Sequence, residues 1–139
     1  MTPPNVARRA AAHLRRADPM LGDVIRRVGP CKWVGSSDHT HFGFVLRCIV
    51  YQQLSGKAAA TIFGRVQELY GGRVPTEPEL LATRVPKLRA AGLSGRKVEY
   101  AKELARRSHT GEIALHELHA LSDSAVIEAL VSVRGIGRW

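Results

Sequence analysis

The chain has 139 residues, of which 45% are hydrophobic and 24% are charged. This composition excludes an intrinsically disordered segment, and the length suits one domain, residues 1–139, built around one core. Lys and Arg number 21 against 12 Asp and Glu, so the net charge is +9, which favours a polyanionic partner such as nucleic acid. No apolar run reaches the roughly 18 residues of a membrane span, so no membrane partner is expected.

The two cysteines, Cys31 and Cys48, do not form a CxxC motif. Neither a zinc site nor an iron–sulfur cluster is therefore predicted, and no metal or cofactor is expected. Cys48 lies within a strongly apolar helical pattern, so we expect it to be buried like a small hydrophobic residue. Unpaired cysteines fit a reducing compartment, and a cytoplasmic protein is expected.

The first half of the chain predicts four helices. Residues 6–17 are rich in Ala and Arg, and Asp18 with Pro19 predicts the start of a second helix that runs to Val28. Ser55 is predicted to cap a fourth helix that runs to Tyr70. Between them, residues 41–51 predict the central helix of the core, because their apolar side chains recur at the spacing of a buried face: Phe42, Val45, Leu46, Ile49 and Val50.

The second half predicts five more helices. Thr76 and Glu79 form the sequence pattern of a capping box, and Ser94 and Ser122 are predicted N-caps. The helices that these signals predict cover residues 76–82, 86–91, 95–107, 116–121 and 122–134. Four apolar residues of the last helix are expected to face inward: Val126, Ile127, Leu130 and Val131. No segment alternates as a strand would, so the fold class is all-α, a compact bundle of short helices.

The last helix runs into Gly135-Ile136-Gly137. Gly135 is predicted to end that helix at a positive φ, and Gly137 allows close approach of the backbone to another group. This is the pattern of a helix-hairpin-helix, whose turn and second helix offer backbone N–H groups to a DNA phosphate. The alternative is an ordinary glycine-capped helix end.

Three segments taken in order resemble a known family: IVYQQLSGKAA (49–59), GLSGRK (92–97) and RGIGRW (134–139). They are similar to the helix-hairpin-helix (HhH-GPD) superfamily of DNA glycosylases, closest to the alkylated-base group, DNA-3-methyladenine glycosylase II. The resemblance covers about residue 18 to the end and is most specific in VYQQLSGKAA. It implies a multi-helix bundle of this type, and a chain that stops inside the helix-hairpin-helix is expected to be truncated at its C-terminal end.

The resemblance implies that residues 52–54, Gln52, Gln53 and Leu54, form a wedge that enters the minor groove. An enzyme that acts on a base must extrude it from the stack, and Gln53 is the first choice for the residue that fills the gap. A Gln pair can also simply satisfy backbone groups between two helices.

Eight residues are the candidates for contacts to DNA phosphates. Lys57 opposes the dipole of the helix that Ser55 caps, which favours a phosphate nearby, and Ser94 with Lys97 places a cap and a cation at another helix start. An ordinary capped turn and a solvated lysine remain the alternatives. The full set is Arg134, Gly135, Ile136, Gly137, Ser94, Lys97, Ser55 and Lys57.

Trp139 and Tyr51 are candidates for the base pocket. By resemblance, the position of Trp139 is a lysine in glycosylases that cut the strand through a Schiff base, and an indole cannot be that nucleophile. An aromatic ring favours a cationic alkylated purine, so a monofunctional enzyme is expected. Both aromatics can equally be core residues.

No catalytic residue is assigned within the chain. By resemblance, the catalytic Asp lies beyond Trp139. The expected function is therefore base-excision repair by a monofunctional N-glycosylase that acts on 3-methyladenine-type bases in double-stranded DNA, with this chain inactive through truncation and monomeric. The alternatives are a non-catalytic helix-hairpin-helix DNA-binding module and a helical protein-interaction domain.

Overall fold

A computed structural model describes residues 4–31 and 40–138. Within these residues the secondary structure is helical, without a strand, which confirms the all-α prediction. The chain divides into two compact units, Met1–Asp38 and His39–Trp139. No helix of the described part is long and apolar enough to cross a membrane.

The first unit holds α1 (Pro4–Ala17) and α2 (Pro19–Val28). The carboxylate of Asp18 accepts hydrogen bonds from the backbone N–H groups of Met20 and Leu21, at 2.8 and 3.1 Å. This is the predicted N-cap. The apolar side chains of α2 are largely exposed within the described residues; Met20, for example, is 80% exposed.

The second unit begins with α3 (His41–Tyr51), whose bounds match the prediction. The remaining helices are α4 (Gly56–Glu68), α5 (Glu77–Ala82), α6 (Val85–Ala90), α7 (Gly95–His109), a 3-10 helix (Leu115–Ala120) and α8 (Asp123–Val131). The predicted buried face of α3 is confirmed, because all five of its apolar residues lie in the core. This core also contains Leu80, Leu88, Val98, Leu104 and Val133.

Two predictions of burial are wrong. Cys48 is exposed, because it follows Phe44 by one turn on the side of α3 that faces away from the core. In α8, Ile127 and Val131 are 36% and 38% exposed, because the helix packs against the core through Ala129 and Leu130, which lie on another side. Apolar periodicity identified the correct helices, but it did not show which side of each is covered.

The predicted end of α8 is also wrong. The helix ends at Val131 with Ser132 as its C-cap, and not at Gly135. Gly135 instead lies in a separate turn, where its φ is +86°. The positive φ was therefore predicted correctly and its structural role was not.

Protonation of Glu79 is expected to destabilise the second unit in acid. Hydrogen bonds from Arg73 and from the backbone and hydroxyl of Thr76 lower the pKa of Glu79 to about 2. A carboxylate with a lowered pKa stabilises the fold above its ordinary value of 4.5, and this stabilisation is lost as the pH falls toward about 2. The free energy of unfolding, measured by urea denaturation, should fall more steeply over this range in the wild type than in Glu79→Gln. Identical pH profiles would contradict the capping role.

Candidate functional site

Residues 51–54 form a tight turn at the end of α3. Gln52 has φ −52° and ψ 130°, Gln53 has φ 54°, and the N–H of Leu54 donates to the carbonyl of Tyr51 at 3.3 Å. These values describe a type II turn, whose third position favours glycine or asparagine. Gln53 is the only non-glycine residue with a positive φ in the described part of the chain. Gln53 and Leu54 are both exposed, so the predicted wedge is accessible to a partner.

A second turn, residues 133–136, follows α8, and together with Gly137 it is here called the hairpin turn. The N–H of Ile136 donates to the carbonyl of Val133 at 3.1 Å, and both side chains pack against the core. The N–H groups of Gly135 and Gly137 have no partner among the described residues. The N–H groups of Gly135 and Gly137 are therefore available to a partner, next to the packed side chains of Val133 and Ile136. The Ile136 N–H, by contrast, is used to close the turn.

Gly135 packs directly against Tyr100. A Cβ built on Gly135 would overlap the tyrosine ring at Cδ2, Cε2 and Cγ. Gly137, by contrast, has nothing within 4 Å of a Cβ built on it. Of these two glycines, only Gly135 is required by both its φ and its surroundings.

The Gln loop (residues 52–54) and the hairpin turn are in direct contact. The Gln52 side-chain amide donates from Nε2 to the carbonyl oxygen of Gly135 at 2.9 Å, across 83 residues of sequence. Gln52 is half-buried and Gln53 is exposed. The two glutamines therefore differ in their surroundings: Gln52 joins the two turns, and the side chain of Gln53 is exposed.

One face of α7 supports both turns. The ammonium of Lys97 donates to the carbonyls of Val50 and Gln52, at 2.6 and 2.8 Å. Burial lowers the pKa of Lys97. The phosphate contact predicted for Lys97 remains a prediction, and two of its three N–H groups already serve the backbone of α3 and the Gln loop.

The same face of α7 holds the hairpin turn further along the helix. The guanidinium of Arg107 donates to the carbonyl of Ser132, and the Glu103 carboxylate accepts from the Arg134 backbone N–H at 3.4 Å. Sequence reasoning missed Tyr100, Glu103 and Arg107. Their spacing of three and four residues, which places them on one helix face, was the available signal.

The predicted serine caps have the expected geometry. The hydroxyl of Ser55 accepts from Ala58 N at 3.4 Å, and that of Ser94 accepts from Lys97 N at 3.3 Å. Lys57 is exposed in the first turn of α4 and makes no ion pair with the described residues. An unpaired cation at the positive end of a helix dipole is unfavourable by itself, which favours an anion at this end of α4.

Tyr51, the predicted pocket residue, is half-buried at the end of α3. Its ring meets Phe63 edge to face, with centroids 6.3 Å apart. The guanidinium of Arg47 lies 4.2 Å from the ring centroid. This ring therefore already binds a cation through its π face. Trp139, the other pocket candidate, lies outside the described residues.

The aspartates of the described part lie at helix starts or pair with a neighbouring side chain. Asp18 and Asp123 lie at helix starts, as predicted, and Asp23 pairs with Arg26. Across residues 4–31 and 40–138, no three His, Cys, Asp or Glu side chains are grouped so that they would hold a metal ion.

Comparison with known proteins identifies relatives of the chain. Residues 46–138 match the family model described as HhH-GPD superfamily base excision DNA repair protein. DNA-3-methyladenine glycosylase 1 from Schizosaccharomyces pombe is 31% identical over 134 residues, which are 94% of this chain and 59% of that protein. A putative DNA-3-methyladenine glycosylase from Bacillus subtilis is 30% identical over 108 residues, 73% of this chain and 38% of that protein.

Solved structures match nearly the whole chain. The DNA-3-methyladenine glycosidase from Bacillus halodurans superposes with a TM-score of 0.80 at 31% identity, covering 99% of this chain and 60% of that one. The 3-methyladenine DNA glycosylase from Schizosaccharomyces pombe, solved with abasic DNA, gives 0.82 at 30% identity, covering 94% and 65%. The chain spans between 38% and 65% of the length of these relatives. The Gln loop, the start of α7 and the hairpin turn all lie within the matched residues 46–138, and the chain belongs to the HhH-GPD superfamily of base excision DNA repair proteins.

Proposed function

We propose that this protein removes alkylated bases from double-stranded DNA by hydrolysing their N-glycosidic bonds, and that the second unit grips the duplex. The observation that carries the proposal is the hydrogen bond from Gln52 Nε2 to the carbonyl of Gly135. This contact holds the Gln loop and the hairpin turn side by side, so that one duplex can touch both.

In this proposal the Gln loop enters the duplex from the minor groove. Extruding a base costs a few kcal/mol in lost stacking and pairing. The exposed side chain of Gln53 occupies the space that the base leaves, and Leu54, which is 40% exposed, packs against the neighbouring bases. The positive φ of Gln53 supports this role, because strained residues that the surrounding structure holds in place cluster at functional sites.

The hairpin turn grips the strand through its backbone. The unpartnered N–H groups of Gly135 and Gly137 donate to a phosphate, and the side chain of Arg134, which is largely exposed, adds a charge. Lys57 at the start of α4 and the cap at Ser94 provide further phosphate contacts. These groups make binding dependent on salt, because each neutralised phosphate releases counterions.

The choice of alkylated purines rests on the relatives and on aromatic chemistry. Relatives at 30–31% identity are named DNA-3-methyladenine glycosylases. An alkylated purine carries positive charge, which the electron-rich face of an indole such as that of Trp139 favours. Tyr51 would contribute only through the ring face that Arg47 does not cover. Such a base is also a better leaving group than a neutral one. No cofactor is part of the proposed reaction, which consumes only water.

The test is base release from methylated duplex DNA, measured alongside binding. Residues 1–139 are expected to bind the duplex without releasing bases, because by resemblance the catalytic carboxylate lies beyond Trp139. A form extended past Trp139 is expected to release methylated purines and to lose this activity when the first Asp in register is replaced by Asn. Release by residues 1–139 would refute the position of the carboxylate. Binding without lesion preference in both forms would instead identify a non-catalytic DNA-binding module.

A further inference from the structure

Two lysines of α7 make the same kind of contact at the ends of two different helices. Lys97 donates to the carbonyls of Val50 and Gln52, at 2.6 and 2.8 Å. Lys102 donates to the carbonyls of Leu81 and Thr83, both at 2.6 Å. Each ammonium thus satisfies carbonyls that the end of a helix leaves without an intrahelical partner, which is where a cation is electrostatically favourable.

The two contacts differ in the segment to which each helix end leads. The end of α5, which Lys102 holds, leads directly into α6, and the Lys102 contacts reach neither the Gln loop nor the hairpin turn. The end of α3, which Lys97 holds, leads into the strained turn. Lys97 binds one carbonyl in the helix and one in the Gln loop, so it fixes the direction in which the loop leaves α3.

The hairpin turn does not depend on Lys97. Tyr100 fills the space beside Gly135, and Arg107 binds the carbonyl of Ser132. Removing the Lys97 ammonium therefore leaves the phosphate grip in place, while it frees the loop to relax out of the positive φ at Gln53. Along α7, therefore, Lys97 supports the Gln loop, whereas Tyr100 and Arg107 support the hairpin turn.

We propose that Lys97 is a positioning residue for lesion recognition. It holds the Gln loop in its strained conformation and keeps it beside the hairpin turn, so that Gln53 can act as the wedge. This inference rests on the proposed function. It assigns to Lys97 an effect on the discrimination between damaged and undamaged DNA, and not on the affinity for DNA in general.

The test compares Lys97→Met with Lys102→Met, which removes the same two-carbonyl contact from the same helix. The probes are a duplex with one tetrahydrofuran abasic analogue and the undamaged duplex of the same sequence, with affinities measured by fluorescence anisotropy at one salt concentration. Both variants should lose similar thermal stability. Lys97→Met should lower the ratio of the two affinities, abasic to undamaged, about tenfold, whereas Lys102→Met should keep the wild-type ratio.

Three results would overturn the assignment. If Lys97→Met keeps the wild-type affinity for both duplexes, the contact is only structural. If it weakens binding to both duplexes equally, Lys97 acts as a phosphate ligand. If the wild type itself has no preference for the abasic duplex, the proposed function fails and this inference fails with it. The wild-type measurement alone shows this, before any variant is compared. Should Lys97→Met not fold, Lys97→Gln, whose amide can donate to one carbonyl, provides the same comparison with the same expected loss of preference.

Discussion

Replacing Gly135 with alanine is expected to remove most of the binding to duplex DNA. The added methyl group would overlap the ring of Tyr100 at three atoms, including Cγ. Because Cγ is close to the backbone of α7, the ring cannot simply rotate away. The φ of +86° adds a further penalty, since an L-residue in this conformation costs about 1–2 kcal/mol.

The expected loss in the free energy of unfolding is about 2–5 kcal/mol, the sum of this backbone penalty and about 1–3 kcal/mol for overpacking. A hairpin turn displaced from Tyr100 no longer presents the N–H groups of Gly135 and Gly137 together, so binding falls further than stability alone explains. The measurements are urea denaturation and anisotropy with undamaged duplex, under conditions where the variant remains folded.

Gly137→Ala is the matched control for this substitution. Gly137 lies two residues away, has no positive φ, and has open space where the methyl group would be placed. Its stability is expected to remain within about 0.5 kcal/mol of the wild type. If Gly135→Ala binds DNA as the wild type does while it remains folded, the hairpin turn is not a DNA contact.

Replacing Gln53 is expected to separate the strain in the Gln loop from its function. Gln53→Gly removes a penalty of about 1–2 kcal/mol for the positive φ and adds about 0.5–1 kcal/mol of backbone entropy. The net effect is a stabilisation of about 0–1.5 kcal/mol. Gln53→Ala keeps the strain, and because the side chain is exposed its stability should stay close to that of the wild type.

Both variants should lose the preference for damaged DNA, by about tenfold or more, which corresponds to about 1.4 kcal/mol. Neither retains a side chain that can fill the space of an extruded base. The measurements are thermal denaturation and affinity for abasic and undamaged duplexes. If Gln53→Ala retains the wild-type preference, Gln53 is not the inserted residue, and Leu54 becomes the candidate to be replaced next.

Local features of the fold were predictable where the signal was local. The bounds of α3 follow from apolar spacing alone, and the capping box at Thr76 and Glu79 and the serine caps follow from the hydrogen bonds that those side chains form nearby. Burial was harder to predict, because periodicity identifies an apolar side without showing whether another element covers it. Ile127 and Val131 are exposed for this reason.

The geometry of the candidate site was only partly predictable. Family resemblance pointed to residues 52–54 and 134–137, but the contact of Gln52 with Gly135 joins residues 83 positions apart, and no local pattern encodes it. The same limitation applies to Lys97, whose position at a helix start suggested a phosphate contact and whose ammonium lies on two carbonyls of another element. Roles that depend on long-range packing follow only from the three-dimensional structure.

The claim that one duplex contacts both turns is tested most directly by amide chemical shifts in ¹⁵N-labelled protein during titration with a duplex that carries one tetrahydrofuran abasic analogue. The prediction is that the N–H signals of Gln53 and Leu54 and those of Gly135 and Gly137 move together, with one apparent Kd and one-to-one stoichiometry. Signals that move in only one of the two turns, or with different affinities, would contradict the proposal that the Gln loop and the hairpin turn form a single DNA-binding site.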